Sequence, residues 1–264
     1  MLEALDLHRR YRHRRVHALG GVSLAVRKGG RLGIVGPSGS GKSTLARCLV
    51  GLERPDAGEI RLDGRRLGRR GAEPRRHWVR RVQMIWQEPR AALSPFVDVG
   101  TTIGEPLENF ATVSRAERAD RVAALMEAVG LSPGLMVRRP AGLSGGQCQR
   151  VVIARALAAT PDYLVCDEPL SALDCTTQAQ ILDLLDRLTA ELGLAVILIS
   201  HDLAVLRGFV EEVAVLADGR IVERGPAAIL DHPQHPVTRA LKAAELVPEL
   251  GPPATGTNPP RPAG

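Results

Sequence analysis

Features that would place this chain in a membrane or outside the cell are missing from the sequence. The longest apolar run, residues 194–199, is far shorter than the roughly 20 residues that a membrane-spanning helix needs. The N-terminal residues, Met-Leu-Glu-Ala-Leu-Asp, lack the basic region and the apolar stretch of a signal peptide. We therefore expect that in any membrane process other chains supply the membrane part.

Cysteine is scarce as well, and its spacing excludes two common uses. The 4 cysteines form neither a C-x-x-C pair nor a cluster with the spacing of a zinc site, and they imply no disulfide framework. We expect reduced, buried and inert thiols of a cytosolic protein at Cys48, Cys148, Cys166 and Cys175.

Aromatic residues make up only 3% of the chain, so its core must consist mainly of leucine, valine, isoleucine and alanine. Lysine is rare too, because the 35 basic residues include only Lys28, Lys42 and Lys242. The net charge of +6 would allow a nucleic-acid or anionic-membrane partner. Since the arginine bias extends over the whole chain, we interpret the charge as compositional and expect no nucleic-acid partner. The length of 264 residues fits one large α/β domain or two small ones.

A glycine-rich loop is the first motif that carries chemistry. Residues 36–44 read Gly-Pro-Ser-Gly-Ser-Gly-Lys-Ser-Thr and contain the phosphate-binding pattern G-x-x-x-x-G-K-[ST]. A predicted strand at 31–35 precedes the loop and a predicted helix at 43–51 follows it, which is the context such a loop requires. We expect Lys42 to reach the β- and γ-phosphates of ATP and the Ser43 hydroxyl to bind Mg²⁺. The candidate nucleotide-binding residues are Gly36, Pro37, Ser38, Gly39, Ser40, Gly41, Lys42, Ser43 and Thr44.

Short apolar runs and turn signals predict the surrounding elements. The runs at 163–167 and 194–200 are typical of buried parallel strands, and residues 178–192 form an amphipathic helix between them. Two more strands are predicted at 22–26 and 59–62, and a hairpin around Asp218-Gly219.

The pattern between about residues 89 and 159 is helical. Ser114 and Glu117 have the spacing of a capping box, so we expect a helix to start there and to stop at Gly130. Its predicted buried face consists of Val122, Leu125, Met126 and Val129.

The strand predicted at 163–167 leads into two adjacent carboxylates, Asp167 and Glu168. Parallel sheets place ligands at the carboxyl ends of their strands, and adjacent side chains face different ways. Asp167 would hold Mg²⁺, and Glu168 would orient or deprotonate an attacking water molecule. An apolar run that ends in Asp-Glu is equally compatible with a strand end that carries solvated acids.

Residues 143–150 read Leu-Ser-Gly-Gly-Gln-Cys-Gln-Arg, which resembles the signature sequence of the ABC ATPases. Alone, this run could be a glycine-rich start of the helix predicted at 150–159. Five motifs in the family's order make the resemblance specific, and it extends from about residue 2 to residue 247. In this family the signature binds the γ-phosphate of a nucleotide that the other subunit's P-loop holds, as donors at a helix start would. The resemblance implies nucleotide contacts at Ser144, Gly145, Gly146 and Gln147.

The resemblance assigns roles to three further segments. Ser171-Ala-Leu-Asp174 resembles the D-loop that crosses the dimer seam, which makes Asp174 a candidate for the nucleotide site. Gln87 matches the Q-loop glutamine, a sensor of the γ-phosphate and Mg²⁺ at the hinge to the helical part. His201 lies at the place of the switch histidine, which contacts the γ-phosphate and holds the water. Catalysis is thus predicted at Glu168, His201 and Gln87, and Mg²⁺ binding at Ser43, Gln87 and Asp167.

Tyr11 precedes the P-loop at a distance that suits the aromatic residue stacking on adenine in ABC cassettes. Its neighbours are rich in arginine and histidine, so a solvated loop is the alternative interpretation. His13 or His17 could form the stacking face instead.

Finer features resemble the branch of importers for oligopeptides, dipeptides and nickel. Trp86-Gln-Glu-Pro89 and Ala92-Leu-Ser-Pro95 resemble its F-Q-D-P…S-L-N-P stretch. Residues 235–241, His-Pro-Val-Thr-Arg-Ala-Leu, resemble its C-terminal H-P-Y-T-R-A-L motif. The departures from the usual residues remove no catalytic group; they are Glu88, Cys148 and Val237.

The resemblance implies an α/β fold, a P-loop NTPase ABC cassette. Such a cassette has a mixed sheet core, an N-terminal antiparallel β-subdomain and an inserted helical subdomain, here at about residues 88–160. The ATPase domain would span residues 1–247. Residues 248–264, rich in proline and glycine, would be a disordered tail.

In function, the resemblance implies the ATP-hydrolysing subunit of an importer for peptides or nickel-type ligands, peripheral at the cytoplasmic face of the membrane. Its cofactors would be ATP and Mg²⁺. Its partners would be two transmembrane permease subunits and a second ABC ATPase, identical or different, with an extracytoplasmic substrate-binding protein acting indirectly. The alternatives are an exporter subunit and a soluble machine acting on DNA or ribosomes. The importer-like motif argues against the first, and the single P-loop without a long heptad run against the second.

Overall fold

The computed structural model describes residues 1–11, 16–68, 73–110 and 114–245, which form two sheets with helices packed around them. The predicted tail at 248–264 and His13 lie outside these described residues. In chain order the strands are β1 (Leu2–Tyr11), β2 (Val16–Val26), β3 (Arg31–Val35), β4 (Ala57–Leu62), β5 (Arg65–Arg66), β6 (Val82–Ile85), β7 (Tyr163–Asp167), β8 (Ala195–Ile199), β9 (Glu212–Ala217) and β10 (Arg220–Pro226). The helices are α1 (Lys42–Leu49), α2 (Glu73–Arg81), α3 (Val99–Phe110), α4 (Arg115–Ala128), α5 (Gly145–Ala158), α6 (Cys175–Leu192), α7 (Leu203–Phe209) and α8 (Pro236–Glu245).

The smaller sheet is antiparallel, with the strand order β2-β1-β4-β5. Leu2 and Ala4 of β1 are fully buried, as the two-residue period of a strand requires. Asp6 then adopts a left-handed backbone with φ of 51°, and the pairing with β2 shifts between Ala4 and Leu7. This bulge brings Leu7 into the core in place of residue 6. The sheet confirms the predicted antiparallel β-subdomain.

The larger sheet is mixed, with the order β10-β9-β3-β8-β7-β6. All its neighbouring pairs are parallel except β9 with β10, which form the predicted hairpin around Asp218-Gly219. Because β3, β6, β7 and β8 run in one direction, their carboxyl ends lie at the same edge of the sheet. The loops that leave this edge carry the P-loop, Gln87, Glu168 and His201. Sheet topology therefore gathers motifs that are far apart in the sequence.

The central strands are buried on both faces, and alternate residues enter two different cores. Tyr163 and Val165 of β7 pack in the cluster that contains Leu45 and Leu49 of α1. Leu164 and Cys166 of the same strand pack in the cluster that contains α5 and α6 residues. This arrangement explains why these strands read as continuous apolar runs rather than as alternating patterns.

Helices α3, α4 and α5 lie in the chain between β6 and β7, and α5 packs against both of the others. Val122, Met126 and Val129 are buried on the predicted face of α4, and Leu125 is half-buried. The Ser114 hydroxyl accepts a hydrogen bond from the Glu117 N–H. The predicted capping box is only half formed, because the Glu117 carboxylate accepts from Arg121 instead, at 2.7 Å.

One predicted helix boundary and one predicted burial are wrong in the structure. The helix expected at 150–159 begins at Gly145, so the signature glycines form its first turn, and the signature lies at a helix start as expected. Cys175 is exposed, not buried, because it is the first residue of α6, immediately after the Asp174 cap. The other three cysteines are buried, and burial raises the pKa of the Cys48 and Cys166 thiols to about 12.

Helix α2 was not expected from the sequence and is held by one aromatic residue. Trp78 is buried, and its indole N–H donates to the Leu49 carbonyl at 3.0 Å. This contact ties α2 to the C-terminal end of α1.

The histidine motif at residues 235–241 is the start of α8. The Glu223 carboxylate of β10 accepts from the N–H groups of Gln234 and His235 at 2.8 and 3.1 Å. The His235 Nδ1 accepts from the Val237 N–H at 3.2 Å. The motif therefore anchors α8 on the large sheet. None of the helices in the described ranges is both long enough and apolar enough to cross a membrane.

Candidate functional site

The P-loop connects β3 to α1, and two of its glycines are required by close approaches of backbone. A Cβ at Gly36 would lie 2.0 Å from the Leu216 carbonyl oxygen, and one at Gly41 would lie 2.1 Å from that of Ala18. Gly39 has open space around it but a φ of 78°, which L-residues rarely adopt. The loop is thus wedged against β2 and β9, and it wraps the N-terminus of α1, where backbone N–H groups favour anions.

Lys42 is the one lysine that enters this loop, and its side chain is buried. Its ammonium donates to the carbonyls of Gly36 and Pro37 at 2.8 and 3.0 Å. Burial lowers the pKa of Lys42, and the nearby carboxylates of Glu168 and Asp167 partly oppose that shift. The ammonium therefore lies inside the loop, bonded to two of the loop's own carbonyls.

Ser43 and Asp167 meet across the start of α1 and the end of β7. The Ser43 hydroxyl donates to Asp167 Oδ1 at 3.2 Å. Asp167 is only 7% exposed, and burial raises the pKa of its carboxyl, against which the Ser43 hydrogen bond acts. Hydroxyl and carboxylate oxygens are ligands that Mg²⁺ prefers, so this pair fits the predicted metal role.

Glu168 is the point where the three predicted catalytic side chains meet. Its Oε2 accepts from Gln87 Nε2 at 3.2 Å and lies 3.6 Å from His201 Nδ1. The backbone of Glu168 is left-handed, with φ of 49°, and its N–H donates to the Ile199 carbonyl at 3.0 Å. This conformation turns the chain out of the sheet directly after Asp167, so the two carboxylates lie in different parts of the site. Asp167 contacts Ser43, whereas Glu168 contacts Gln87 and His201. Sequence reasoning missed the strained backbone, for which no residue pattern gives a signal.

Tyr11 lies at the end of β1, beside the P-loop, and its hydroxyl is held from two sides. It donates to Glu53 Oε2 at 2.6 Å and lies 3.3 Å from Thr44 Oγ1. The guanidinium of Arg9 lies 5.1 Å from the ring centroid. Arg9 and Arg47 form ion pairs with Glu53 at 3.4 and 3.0 Å. Sequence reasoning missed Glu53 because it belongs to no motif.

Tyr11 and the P-loop share a cleft of about 550 Å³. The lining residues are Tyr11, Ala18, Ser38, Gly39, Gly41, Lys42, Ser43, Thr44, Arg47, Glu53 and Glu168. Of the predicted loop residues, Gly36, Pro37 and Ser40 stay out of this lining, and Ser40 is buried. His17, the described alternative to Tyr11, is exposed and does not line the cleft.

The signature residues form the N-terminus of α5. Ser144 caps the helix, since its hydroxyl accepts from the Gln147 N–H at 3.2 Å. In turn, the side-chain carbonyl of Gln147 accepts a hydrogen bond from the Ser144 N–H at 3.0 Å. The two bonds together form a capping box. Gly145 and Gly146 occupy the first turn, where backbone N–H groups have no partner within the helix, and both residues are partly exposed.

Asp174 lies beside the signature rather than beside the P-loop. It caps α6, and its carboxylate accepts from the backbone N–H and the hydroxyl of Thr177 at 3.0 and 2.7 Å. A Cβ at Gly146 would lie 2.7 Å from the Thr177 methyl group. One group of predicted nucleotide-site residues thus surrounds the P-loop cleft, while Ser144, Gly145, Gly146, Gln147 and Asp174 form a second, separate surface.

Comparisons with known proteins agree with this geometry. The family model described as "ABC transporter" matches residues 19–171. A Brucella abortus chain to which peptide import and ATP binding are ascribed is 50% identical over 86% of this chain and 68% of its own length. The oligopeptide transport ATP-binding protein OppF of Salmonella typhimurium is 44% identical over 88% of this chain and 70% of its own.

A solved structure shows the same fold. It is the dimeric post-hydrolysis state of an ATP-binding cassette bound to ADP and Pi, with a TM-score of 0.78 and 30% identity. The similarity covers 86% of this chain and 99% of that one. The P-loop, the adjacent carboxylates of Asp167 and Glu168 and these similarities together identify the family. The chain belongs to the ABC transporter family, as an ATP-binding and ATP-hydrolysing cassette.

Proposed function

We propose that this chain is the ATPase subunit of a peptide importer. The relatives from Brucella and Salmonella are named for peptide import and oligopeptide transport. Those names favour import over export and over action on DNA or ribosomes. The observation that carries the catalytic part is the contact of the Glu168 carboxylate with both Gln87 and His201, beside the P-loop cleft.

Hydrolysis of ATP needs a water molecule that is aligned with the γ-phosphate and loses a proton as it attacks. Glu168 would accept that proton, since its carboxylate lines the cleft. His201 and Gln87, which both contact Glu168 Oε2, would hold the water and a γ-phosphate oxygen. Lys42 would exchange its bonds with the Gly36 and Pro37 carbonyls for bonds with the β- and γ-phosphates.

We expect Mg²⁺ to accompany the nucleotide, because Ser43 and Asp167 offer suitable oxygen atoms within 3.2 Å of each other. Gln87 would be a further ligand. The ion would offset the negative charge of the phosphates. The chain would contribute by holding the Asp167 carboxylate at the end of a buried strand, bonded to the Ser43 hydroxyl.

The second surface, made of the signature and Asp174, would complete the P-loop site of another cassette. In one chain this surface lies outside the P-loop cleft, so its N–H donors need an anion that comes from elsewhere. A dimer of cassettes, with an identical or a different partner, would place two nucleotides between opposite surfaces. Closure on ATP and reopening after hydrolysis would then drive the transport cycle.

A separate groove of about 300 Å³ would receive the permease. It lies between α2 and β6 on one side and α3 and α5 on the other. Leu52 and Trp86 in its lining are 45% and 37% exposed, which is high for large apolar side chains. Trp86 directly precedes Gln87, so a helix bound in the groove would lie next to a residue of the candidate catalytic site. A short amphipathic helix of a permease subunit fits such a groove, and would keep the chain at the cytoplasmic face.

The experiment that tests this proposal is purification of the tagged chain from its host in mild detergent, followed by identification of the co-purifying proteins. We expect two permease subunits and a second ABC ATPase, with a substrate-binding protein acting on the complex from the other side of the membrane. Recovery without permeases, together with nucleic acid or ribosomes, would overturn the importer assignment while leaving the ATPase assignment intact.

A further inference from the structure

Arg90 connects the segment after Gln87 to the segment before the signature. Its guanidinium donates to the Leu143 carbonyl at 2.5 Å and to the Pro140 carbonyl at 3.3 Å. Leu143 is buried and directly precedes Ser144, the cap of α5. The two planar N–H groups of arginine therefore hold both ends of the short turn that leads into the signature.

The segment that carries Arg90 is itself compact. The N–H groups of Ala92 and Leu93 donate to the carbonyls of Glu88 and Arg90 at 3.2 and 3.3 Å, and Leu93 is buried. The Ala92 carbonyl accepts from Arg155 of α5 at 3.4 Å. The segment from 88 to 93 is thus fastened to the signature turn through Arg90 and to the signature helix through Arg155.

At its other end the same segment begins next to Gln87, whose amide contacts the carboxylate of Glu168. Gln87 is exposed and belongs to neither a helix nor a strand, so its side chain can turn from Glu168 to a phosphate oxygen. Such a change would displace the start of the segment. Because the rest of the segment is compact, the displacement would reach Arg90 rather than being absorbed between them.

We propose that Arg90 is a positioning residue that transmits the nucleotide state sensed by Gln87 to the signature of the same chain. Since the signature would serve the partner's nucleotide, Arg90 would couple the two ATP sites of a dimer. This inference rests on the proposed function, because it assumes that the signature receives a phosphate from a second cassette. Arg90 touches neither the P-loop cleft nor its carboxylates, so its effect is separate from nucleotide binding.

Hydrogen–deuterium exchange of the purified chain, with and without the non-hydrolysable analogue AMP-PNP and Mg²⁺, tests this transmission. In the wild type we expect AMP-PNP to change the exchange rate at residues 143–148. In Arg90→Ala we expect that change to be lost, while the affinity for AMP-PNP stays the same. Arg90→Lys should lose most of it, because one ammonium cannot hold both carbonyls in the geometry of the guanidinium.

The matched control is Arg187→Ala. Arg187 is also an exposed arginine that donates to one backbone carbonyl, that of Ala128 at 2.7 Å, but it lies outside the proposed route. It should leave the AMP-PNP response intact. An unchanged response in Arg90→Ala, or no response at 143–148 in the wild type despite binding, would overturn the inference. A failure to bind AMP-PNP at all would instead overturn the proposed function.

A double-mutant cycle separates transmission from simple stabilisation. We expect Arg90→Ala to lower turnover of the purified complex about two- to thirty-fold, with KM for ATP unchanged. In a Gln87→Ala background the same change should add little, since the signal is already interrupted. Losses that multiply in the double variant would show that Arg90 only stabilises the turn at residues 140–143.

Discussion

The two surfaces that this chain offers to nucleotides differ in how completely each is built. The P-loop surface contains buried Lys42, buried Asp167 and a cleft, with side chains that come from several parts of the chain. The signature surface consists of the starts of α5 and α6, and the cap of α5 is satisfied by its own residues, Ser144 and Gln147. We propose that the first holds a nucleotide alone, whereas the second would gain a function only when another chain brings a phosphate. Nucleotide affinity and turnover should therefore respond to different substitutions.

The largest effect should come from the carboxylate that faces the water. Glu168→Gln keeps the size of the side chain but cannot accept a proton, so we expect turnover to fall about 10²- to 10⁴-fold. ATP binding should be retained. Phosphate release and nucleotide binding by equilibrium dialysis measure the two quantities. Glu191→Gln, at an exposed position of α6, serves as the control. Turnover near the wild-type value would show that another residue activates the water.

Lys42→Ala should act on affinity instead. Removal of the ammonium takes away charge-assisted hydrogen bonds to the phosphates, and we expect ATP to bind about ten- to a hundredfold more weakly. Titration calorimetry of the purified chain measures this change. Lys28→Ala is the matched control, because Lys28 is an exposed lysine that pairs with Asp162 at 3.5 Å, away from the cleft. Equal ATP affinity in the two variants would contradict the P-loop assignment.

Gly146→Ala sharpens the comparison from the other surface. Its Cβ would collide with Thr177 and displace the start of α5 from α6. We expect turnover of the complex to fall about tenfold, less than the hundredfold that a misplacement of about 1 Å can cost. ATP affinity of the single chain should not change. Gly208→Ala is the control, since nothing lies within 4 Å of the added Cβ. Weaker ATP binding by the separate chain would mean that the two surfaces are not independent.

Tyr11→Phe should have the smallest effect. Phenylalanine keeps the ring on which adenine would stack but loses the hydroxyl contacts with Glu53 and Thr44. We expect ATP affinity to fall by less than about tenfold, as for one hydrogen bond. Binding of tripolyphosphate, which has no base, should stay constant. A parallel loss for tripolyphosphate would show that Tyr11 supports the P-loop rather than the base.

The part of the site that the sequence predicts best is the P-loop, where glycine is required for steric reasons. Gly36 and Gly41 can be read from the sequence because a side chain at either position would collide with a carbonyl. Strands β7 and β8 are predicted because they are buried on both faces and read as apolar runs. Parallel pairing then brings Gln87, Glu168 and His201 together without any local signal that they meet.

Other parts depend on competition that a sequence pattern does not rank. In α2, Trp78 is buried among arginines that hide the helical period. At α4, Glu117 could bond to the helix start or to Arg121, and the structure has the second. No sequence motif distinguishes Cys175 from the three buried cysteines, yet its place at a helix start exposes it. Such choices are settled by tertiary contacts rather than by residue type.

The left-handed backbone of Glu168 has a consequence for how this chain would respond to selection. A residue with a Cβ costs about 1 kcal/mol or more in that conformation, while glycine adopts it freely. The conformation of this candidate catalytic residue therefore lowers the stability of the folded chain. Selection for heat resistance alone would favour glycine at position 168 and, if Glu168 activates the water as we propose, yield a more stable protein with much slower ATP hydrolysis. Any programme of thermal improvement should keep this position fixed and seek its gains elsewhere in the fold.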